Sequence, residues 1–357
     1  MGIQAHLRRV MEGRETLGRT ESRELMERLL KDPPSDAEIA ALLGALAARG
    51  ETPEEIAGFV EAMRATATTL PLSEAERDEL VDTCGTGGDA SGSFNISTAA
   101  ALVSAAAGAK VAKHGNRAVT SKCGSADVLE ALGVPLDLTP KEAADSLRRS
   151  GFAFLHAPAL HPAMRVVMPV RRALGVRTVF NLFGPLSNPA GASRQVMGVY
   201  GPRQVDLVAR TMALLGTTHA LVVHGEIGRN YRFEGLEAGI DEISISGRSL
   251  LAEVRGGEVS TSEMEPEDVG LKRAAVEDLR GDDAITNAAI LRAIFAGERG
   301  PRRDVVVLNA AAVLMTAGIA ANVIAGIGMA EGAIDSGAVR RLLADLAGQR
   351  VRVHVSI

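Results

Sequence analysis

The chain reads as an α/β protein: a small all-helical domain followed by a large α/β domain with a mostly parallel central sheet flanked by helices. Three observations predict this. Two glycine-rich turns, Gly85-Thr86-Gly87-Gly88-Asp89 and Lys113-His114-Gly115-Asn116-Arg117, lie about one helix apart, and each leads into a helix of small residues. From residue 80 onward, short apolar runs alternate with helical periodicity, the pattern of parallel strands joined by crossover helices. Residues 3–69, by contrast, show helical spacing only.

The elements follow in order. Ile3, Leu7, Val10 and Met11, then Leu25, Met26, Leu29 and Leu30, recur at helical spacing. Ser35 and Thr52 stand before helices expected over Asp36–Arg49 and Pro53–Ala67, with Glu38 and Glu55 three residues on, the capping-box pattern. Pro53 suits a first helical position. Residues 1–70 form the expected helical domain, and a linker at Thr69–Glu79, marked by Pro71, leads to the large domain, 78–357. Strands are expected at Leu80–Asp82, Val111–Lys113, Phe152–Leu155, Gln195–Tyr200, Ala220–Val223 and Glu242–Ser246. Helices are expected at Ala99–Ala107, Val128–Leu132, Pro140–Arg149, Pro162–Leu174, Arg203–Leu215, Asp283–Ala296, Arg302–Ala317 and Asp335–Ala347. The terminal Arg350–Ile357 alternates basic and apolar residues as a strand does.

Composition narrows the function. A formal net charge of −5 gives no basic field for nucleic acid. With 46% hydrophobic residues, 3% aromatics and no Trp, the core is aliphatic and alanine-rich. Two cysteines, Cys84 and Cys123, make no disulfide framework and fit a reducing cytosol. Residues 1–30 lack the apolar core of a signal peptide, and the apolar run Ala99–Ala112 is too short to span a bilayer.

The two turns are where ligand chemistry is expected. A helix N-terminus presents unpartnered N–H groups and positive partial charge, and glycine lets the backbone approach an anion. Either turn alone would be an ordinary strand–loop–helix junction. Both in one unit, with Ser and Thr hydroxyls and the cations Lys113, Arg117 and Lys122, make a double phosphate cradle. The P-loop pattern G-x-x-x-x-G-K-[ST] is absent, and no acidic residue stands where a ribose-binding one would follow the first turn. The expected ligand is therefore phosphorylated, but neither ATP in a Walker site nor NAD.

GTGGD, NIST, KHGNRAVTS and GSADVLEALG, in this order and spacing, resemble the anthranilate phosphoribosyltransferases of tryptophan biosynthesis. So do His161-Pro162-Ala163-Met164, Pro169-Val170-Arg171, the run Arg177–Leu186 and Asp241-Glu242-Ile243-Ser244. The resemblance implies a fold of the nucleoside phosphorylase/phosphoribosyltransferase type, with residues 162–190 packing onto the helical domain and a homodimer formed through that domain. It implies a cytoplasmic enzyme joining anthranilate to phosphoribosyl pyrophosphate with Mg2+, two ions per monomer. It assigns the phosphoribosyl pyrophosphate site to Gly85, Gly88, Asp89, Ser93, Asn95, Ile96, Ser97, Thr98, Lys113, His114, Gly115, Asn116, Arg117, Ala118, Val119, Thr120, Ser121 and Ser125. Lys113 and Arg117 offset charge on the leaving group, and no residue acts as acid or base. Gly85, Asn116, Arg171 and His161 fall to anthranilate, and Ser97, Asp241 and Glu242 to the metal. Asp89 is open between accepting from a ribose hydroxyl and holding its own loop. Ser97 is open between metal contact and helix cap.

The chain departs from that pattern at Glu226–Gly239, an insertion carrying Tyr231 and Phe233, expected as a flap or an oligomer contact. Thr120 replaces a more usual Ser, His156 a usual aromatic and Leu160 a frequent His. A nucleoside phosphorylase of similar architecture is the competing enzyme, and the KHGNR loop and Arg171 argue against it. A non-catalytic phosphate- or nucleic-acid-binding paralogue is the third reading, opposed by the net acidic charge and Asp241-Glu242.

Overall fold

The computed structural model describes residues 2–89, 91–118, 121–228, 232–233, 236–237 and 239–353. Four helices open the chain: Ile3–Met11, Arg19–Lys31, Asp36–Arg49 and Pro53–Thr66. Ser35 and Thr52 cap the third and fourth, each in a capping box with Glu38 or Glu55. The strands are β1 (Leu80–Gly85), β2 (Lys110–Gly115), β3 (Phe152–His156), β4 (Arg194–Gly198), β5 (His219–Glu226), β6 (Arg232–Phe233), β7 (Leu236–Glu237), β8 (Gly239–Ile240), β9 (Ser249–Arg255) and β10 (Glu258–Met264). The main sheet runs β10-β9-β5-β4-β1-β2-β3, with β8 beside β5. β1 to β5 are parallel, while β8, β9 and β10 are antiparallel to their neighbours.

Alternation along the strands distributes the core between two faces. On one face, Val81, Val111, Phe152, Phe154, Val196, Leu221, Val223 and Leu251 pack with helices Ile96–Ala106, Ala284–Phe295, Pro301–Thr316 and Val323–Asp335. On the other, Met197, Val199, Ala220, Val222 and Val254 join helix Arg203–Leu214, the N-terminal helices and residues Val167–Leu186 in a single cluster. A smaller cluster sets Leu80, Ala112, Ala153 and Leu155 against helix Pro140–Ser150. The N-terminal helices therefore share one apolar cluster with the sheet.

Several expectations are corrected. Glu242–Ser246 is not a strand: it is a turn after β8, because both acidic side chains fold back onto backbone N–H groups of the first glycine loop. The β9–β10 hairpin has no counterpart among the expected strands, although Gly256 and Gly257, at φ +58° and +86°, supply the left-handed pair that a two-residue hairpin turn needs. Helix Val323–Asp335 is likewise additional, and the last helix is Ala338–Val353 in place of Asp335–Ala347. Helix therefore continues through Val353 where a strand was expected, since four alternating residues do not outweigh extension of a helix already nucleated; residues 354–357 lie outside the described residues. The expected helix Pro162–Leu174 divides into a 3-10 turn, Pro162–Val166, and an α-helix, Met168–Leu174. Pro169 explains the break: with no N–H it cannot bond back to Arg165 inside a continuous helix, and it sits instead in the first turn of a new one.

Glu55 is the polar centre of the helical layer. Fully buried, its carboxylate accepts the N–H groups of Leu17 (2.8 Å) and Thr52 (2.9 Å) and both oxygens meet Arg49 Nη2 at 2.7 and 2.5 Å. Breaking such a pair leaves a nearly buried guanidinium without its counter-charge. Glu55→Gln should lower unfolding free energy by about 3 kcal/mol, read as a shift in the urea midpoint at unchanged slope.

Candidate active site

Parallel pairing sets the site. β1 lies between β2 and β4, so the loops after Gly85, Gly115 and Gly198 leave one edge of the sheet together. That edge, beyond the carboxyl ends of the strands, is where open α/β sheets hold ligands. In the first loop Gly87 and Gly88 take φ of +66° and +73°, which L side chains rarely adopt. Gly85 and Gly198 are required for a different reason: a Cβ on either would overlap Asp241.

Asp241 and Glu242 enter from the turn after β8. Asp241 Oδ2 accepts the Gly87 N–H at 2.7 Å, and Glu242 Oε1 accepts the Ser97 N–H at 2.8 Å. Asp89 accepts from Ser91 Oγ (2.8 Å) and Ser91 N (3.3 Å), and its Oδ2 lies 3.4 Å from Asp241 N. These contacts brace the first loop from within. Ser97 is not a cap: Asn95 precedes the helix, and its side chain instead donates to Cys123 O and accepts from Asn287 Nδ2.

Burial raises the carboxyl pKa values. Asp241 is pushed well above the carboxylate range by desolvation and by Asp89 and Glu242 nearby, and Glu242 is pushed up to about 7, mainly by desolvation, against the pull of Lys113. Among the described residues no three His, Cys, Asp or Glu side chains are grouped to hold a metal alone. Two strained carboxylates beside phosphate-type N–H donors suit magnesium, which takes few protein carboxylates and completes its shell with phosphate and water.

The expected cations are all engaged. Lys113 is buried, and its Nζ donates to Thr83 O at 2.6 Å and reaches Ser97 Oγ at 3.4 Å. Arg117 pairs with Asp127 and Glu130, and Lys122 with Asp282. In the second loop Asn116 Oδ1 accepts the Arg117 N–H, and Asn116 O accepts from Ser125 Oγ. Gly124 meets the backbone of Ala118 too closely for any side chain. Val119 and Thr120 lie outside the described residues, as do Tyr231 and most of the insertion that contains it.

A second segment closes on both loops. The buried ring of His161 packs against His114, centroids 5.1 Å apart, and desolvation holds His114 neutral with its pKa down to about 3. Arg177 donates from Nη1 to Gly88 O at 3.0 Å, and its guanidinium lies 4.4 Å over the Tyr200 ring. Between these, Arg171 lies half-buried, its guanidinium 5.1 Å over the Phe180 ring with no carboxylate partner among the described residues. Desolvation lowers its pKa. Arg177 is a site residue that the sequence does not single out; it is one residue in a motif, and nothing local marks it as reaching Gly88.

Fold and site together define an α/β scaffold of transferase type, with two glycine loops side by side at the carboxyl edge of the sheet. The sequence matches the glycosyl transferase family, a/b domain, over residues 77–340, and the glycosyl transferase family, helical bundle domain, over residues 4–67. It is 49% identical over 341 residues to the anthranilate phosphoribosyltransferase of Symbiobacterium thermophilum, covering 96% of each chain. The crystal structure of the Thermus thermophilus anthranilate phosphoribosyltransferase matches with a TM-score of 0.87 at 42% identity, over 96% of this chain and 98% of that one. The Saccharomyces cerevisiae enzyme in complex with PRPP and Mg matches with a TM-score of 0.83 at 26% identity, over 97% and 98%. The chain belongs to the anthranilate phosphoribosyltransferases.

Asp82 supports the second loop from below. Fully buried, it accepts the His114 N–H at 3.1 Å, and Gln195 Nε2 lies 3.3 Å from its other oxygen. Desolvation raises its pKa from 3.8 to about 6, against opposing pulls from Asn188, Lys113 and the His114 N–H. Between those two values the folded chain holds a proton that the unfolded chain has shed. The group's contribution to stability is thus full at low pH and falls as pH rises through about 6. Asp82→Asn removes this slope, so its unfolding free energy relative to the native chain should rise by roughly 1–3 kcal/mol between pH 4 and pH 7, measured by urea denaturation at each pH.

Proposed function

We propose that this enzyme transfers the phosphoribosyl group of phosphoribosyl pyrophosphate to the amine of anthranilate, releasing pyrophosphate. One observation carries the reading: the segment His161–Arg177, with Arg171 at its middle free of any carboxylate partner among the described residues, touches both glycine loops, through His114 and Gly88. A carboxylate-bearing acceptor and a diphosphorylated donor can thus be held side by side.

The first loop, with Gly85, Gly88, Ser93 and Asn95–Thr98, supplies backbone and hydroxyl donors to the donor's phosphates. Asp89 serves as the loop's own brace. Lys113, His114 and Gly115 to Ser121, with Ser125, form the second wall. Lys113 acts from below the surface, its charge beside Ser97. Arg117, itself exposed, turns from Asp127 and Glu130 to the leaving group, since ion pairs at an exposed guanidinium are weak competitors for a diphosphate. Arg171 presents its fork to the acceptor's carboxylate, a planar match, with Gly85, Asn116 and His161 around the ring. The acceptor's amine is an aniline and already unprotonated at neutral pH, so the chain needs no general base. Positioning and charge stabilisation supply the rate.

Ser97, Asp241 and Glu242 would hold magnesium, two ions in our reading. Bound magnesium offsets the charge of the diphosphate. The assembly is a homodimer through the helical body, residues 1–70 with 162–190 against it, and its location is cytoplasmic. The body 78–357 holds the donor.

Loss of anthranilate fluorescence on mixing chain, magnesium, phosphoribosyl pyrophosphate and anthranilate tests the reaction, and no loss overturns it. Arg171→Ala should raise the KM for anthranilate by about tenfold or more while leaving that for phosphoribosyl pyrophosphate within about twofold. Equal increases would make Arg171 structural.

A further inference from the structure

At the opposite edge of the sheet from the glycine loops, where β1, β4 and β5 begin, lies a cavity of about 350 Å³. Its polar lining comprises Arg64, Arg77, Asn188, Ser193, Thr69 and Thr217, and no lining residue carries a carboxylate. Two of the three chain crossings between the helical body and the sheet body line it, at Ala67 and Thr69 and at Asn188–Ser193; the third, from β3 into residues 157–162, does not.

The two guanidinium groups are held by carbonyls alone. Arg64 donates from Nε and Nη2 to Leu186 O at 3.0 and 2.7 Å. Arg77 donates to Ala190 O (2.8 Å), Leu70 O (2.9 Å) and Leu72 O (3.3 Å). Neither has an ion pair among the described residues; Glu61, one turn before Arg64, pairs with Arg19, and its charge also acts on Arg64, whose pKa desolvation lowers. Each guanidinium offers five N–H donors, of which the carbonyls use two and three. Carbonyl bonds fix the geometry of the two cations, Arg64 exposed and Arg77 half-buried, and no carboxylate lines the cleft between them. Space, surplus donors and positive charge coincide in one cleft of ligand size.

We propose that this cleft is a second anion site, taking a small oxyanion, phosphate or carboxylate, between Arg64 and Arg77. Arg64 belongs to the last N-terminal helix, and Arg77 and Ser193 belong to the segments that open β1 and β4. A bound anion therefore ties the helical body to the sheet body at their joint, remote from the reacting groups.

The test is calorimetric titration of the full chain with sodium phosphate and, separately, sodium citrate, at constant ionic strength. Arg64→Gln and Thr217→Glu are titrated alongside; the second leaves every carbonyl bond intact and places a carboxylate in the cleft. The native chain should bind one anion per chain that each variant binds at least about tenfold more weakly. Weakening for phosphate alone identifies a phosphate-type site, and for citrate alone an organic-acid site. Identical isotherms in native chain and Thr217→Glu overturn the proposal, as does the absence of binding by the native chain. Anions held by the glycine loops are unaffected by either substitution, so they add equally to all three isotherms.

Discussion

The N–H groups of Gly87 and Ser97 are what a phosphate would need, and here the carboxylates of Asp241 and Glu242 hold them. This contact sets much else. It forbids a side chain at Gly85 and at Gly198, and it turns residues 241–246 away from strand pairing. It also strains both acids, which burial drives toward the protonated form. Asp241 and Glu242 would hold a divalent cation, and a cation there would leave the Gly87 and Ser97 N–H groups free for an anion. Cation and anion binding would then favour one another through backbone groups already in place.

The side proposed for the acceptor is built differently. Its groups sit on a segment broken by Pro169 and packed in the same apolar cluster as the N-terminal helices. Arg177 clips this segment to Gly88 while resting on Tyr200, and His161 rests on His114. The helical cluster and both loops are therefore joined through this one segment. The pairing Glu55–Arg49 matters at a distance for the same reason, since it fixes how the third and fourth helices present that cluster.

The parallel core and its loops are legible in the sequence because their signals are local. Ser35-x-x-Glu38 and Thr52-x-x-Glu55 mark helix starts wherever they occur, and Gly87-Gly88 marks a turn that only glycine allows. What the sequence conceals depends on partners far along the chain. Nothing near Arg177 points to Gly88, and nothing near Asn287 points to Asn95. Glu242–Ser246 has the composition of a strand, but tertiary hydrogen bonds to Gly87 and Ser97 decide its shape. The engagement of Lys113, Arg117 and Lys122 cannot be read from spacing, because their carboxylate and carbonyl partners are set by the packed loops. The Gly256-Gly257 hairpin is the exception: its signal is local and legible, yet it falls outside the strands expected from apolar runs because β10 is polar.

That hairpin places β10 at the rim of the sheet, antiparallel to β9 and mostly solvent-exposed. Its outer residues include Glu258, Ser260, Thr261, Ser262 and Glu263, polar or charged groups on a short rim. Such a border resists the addition of another chain's strand. At this edge, growth of the sheet by main-chain zippering is thereby disfavoured.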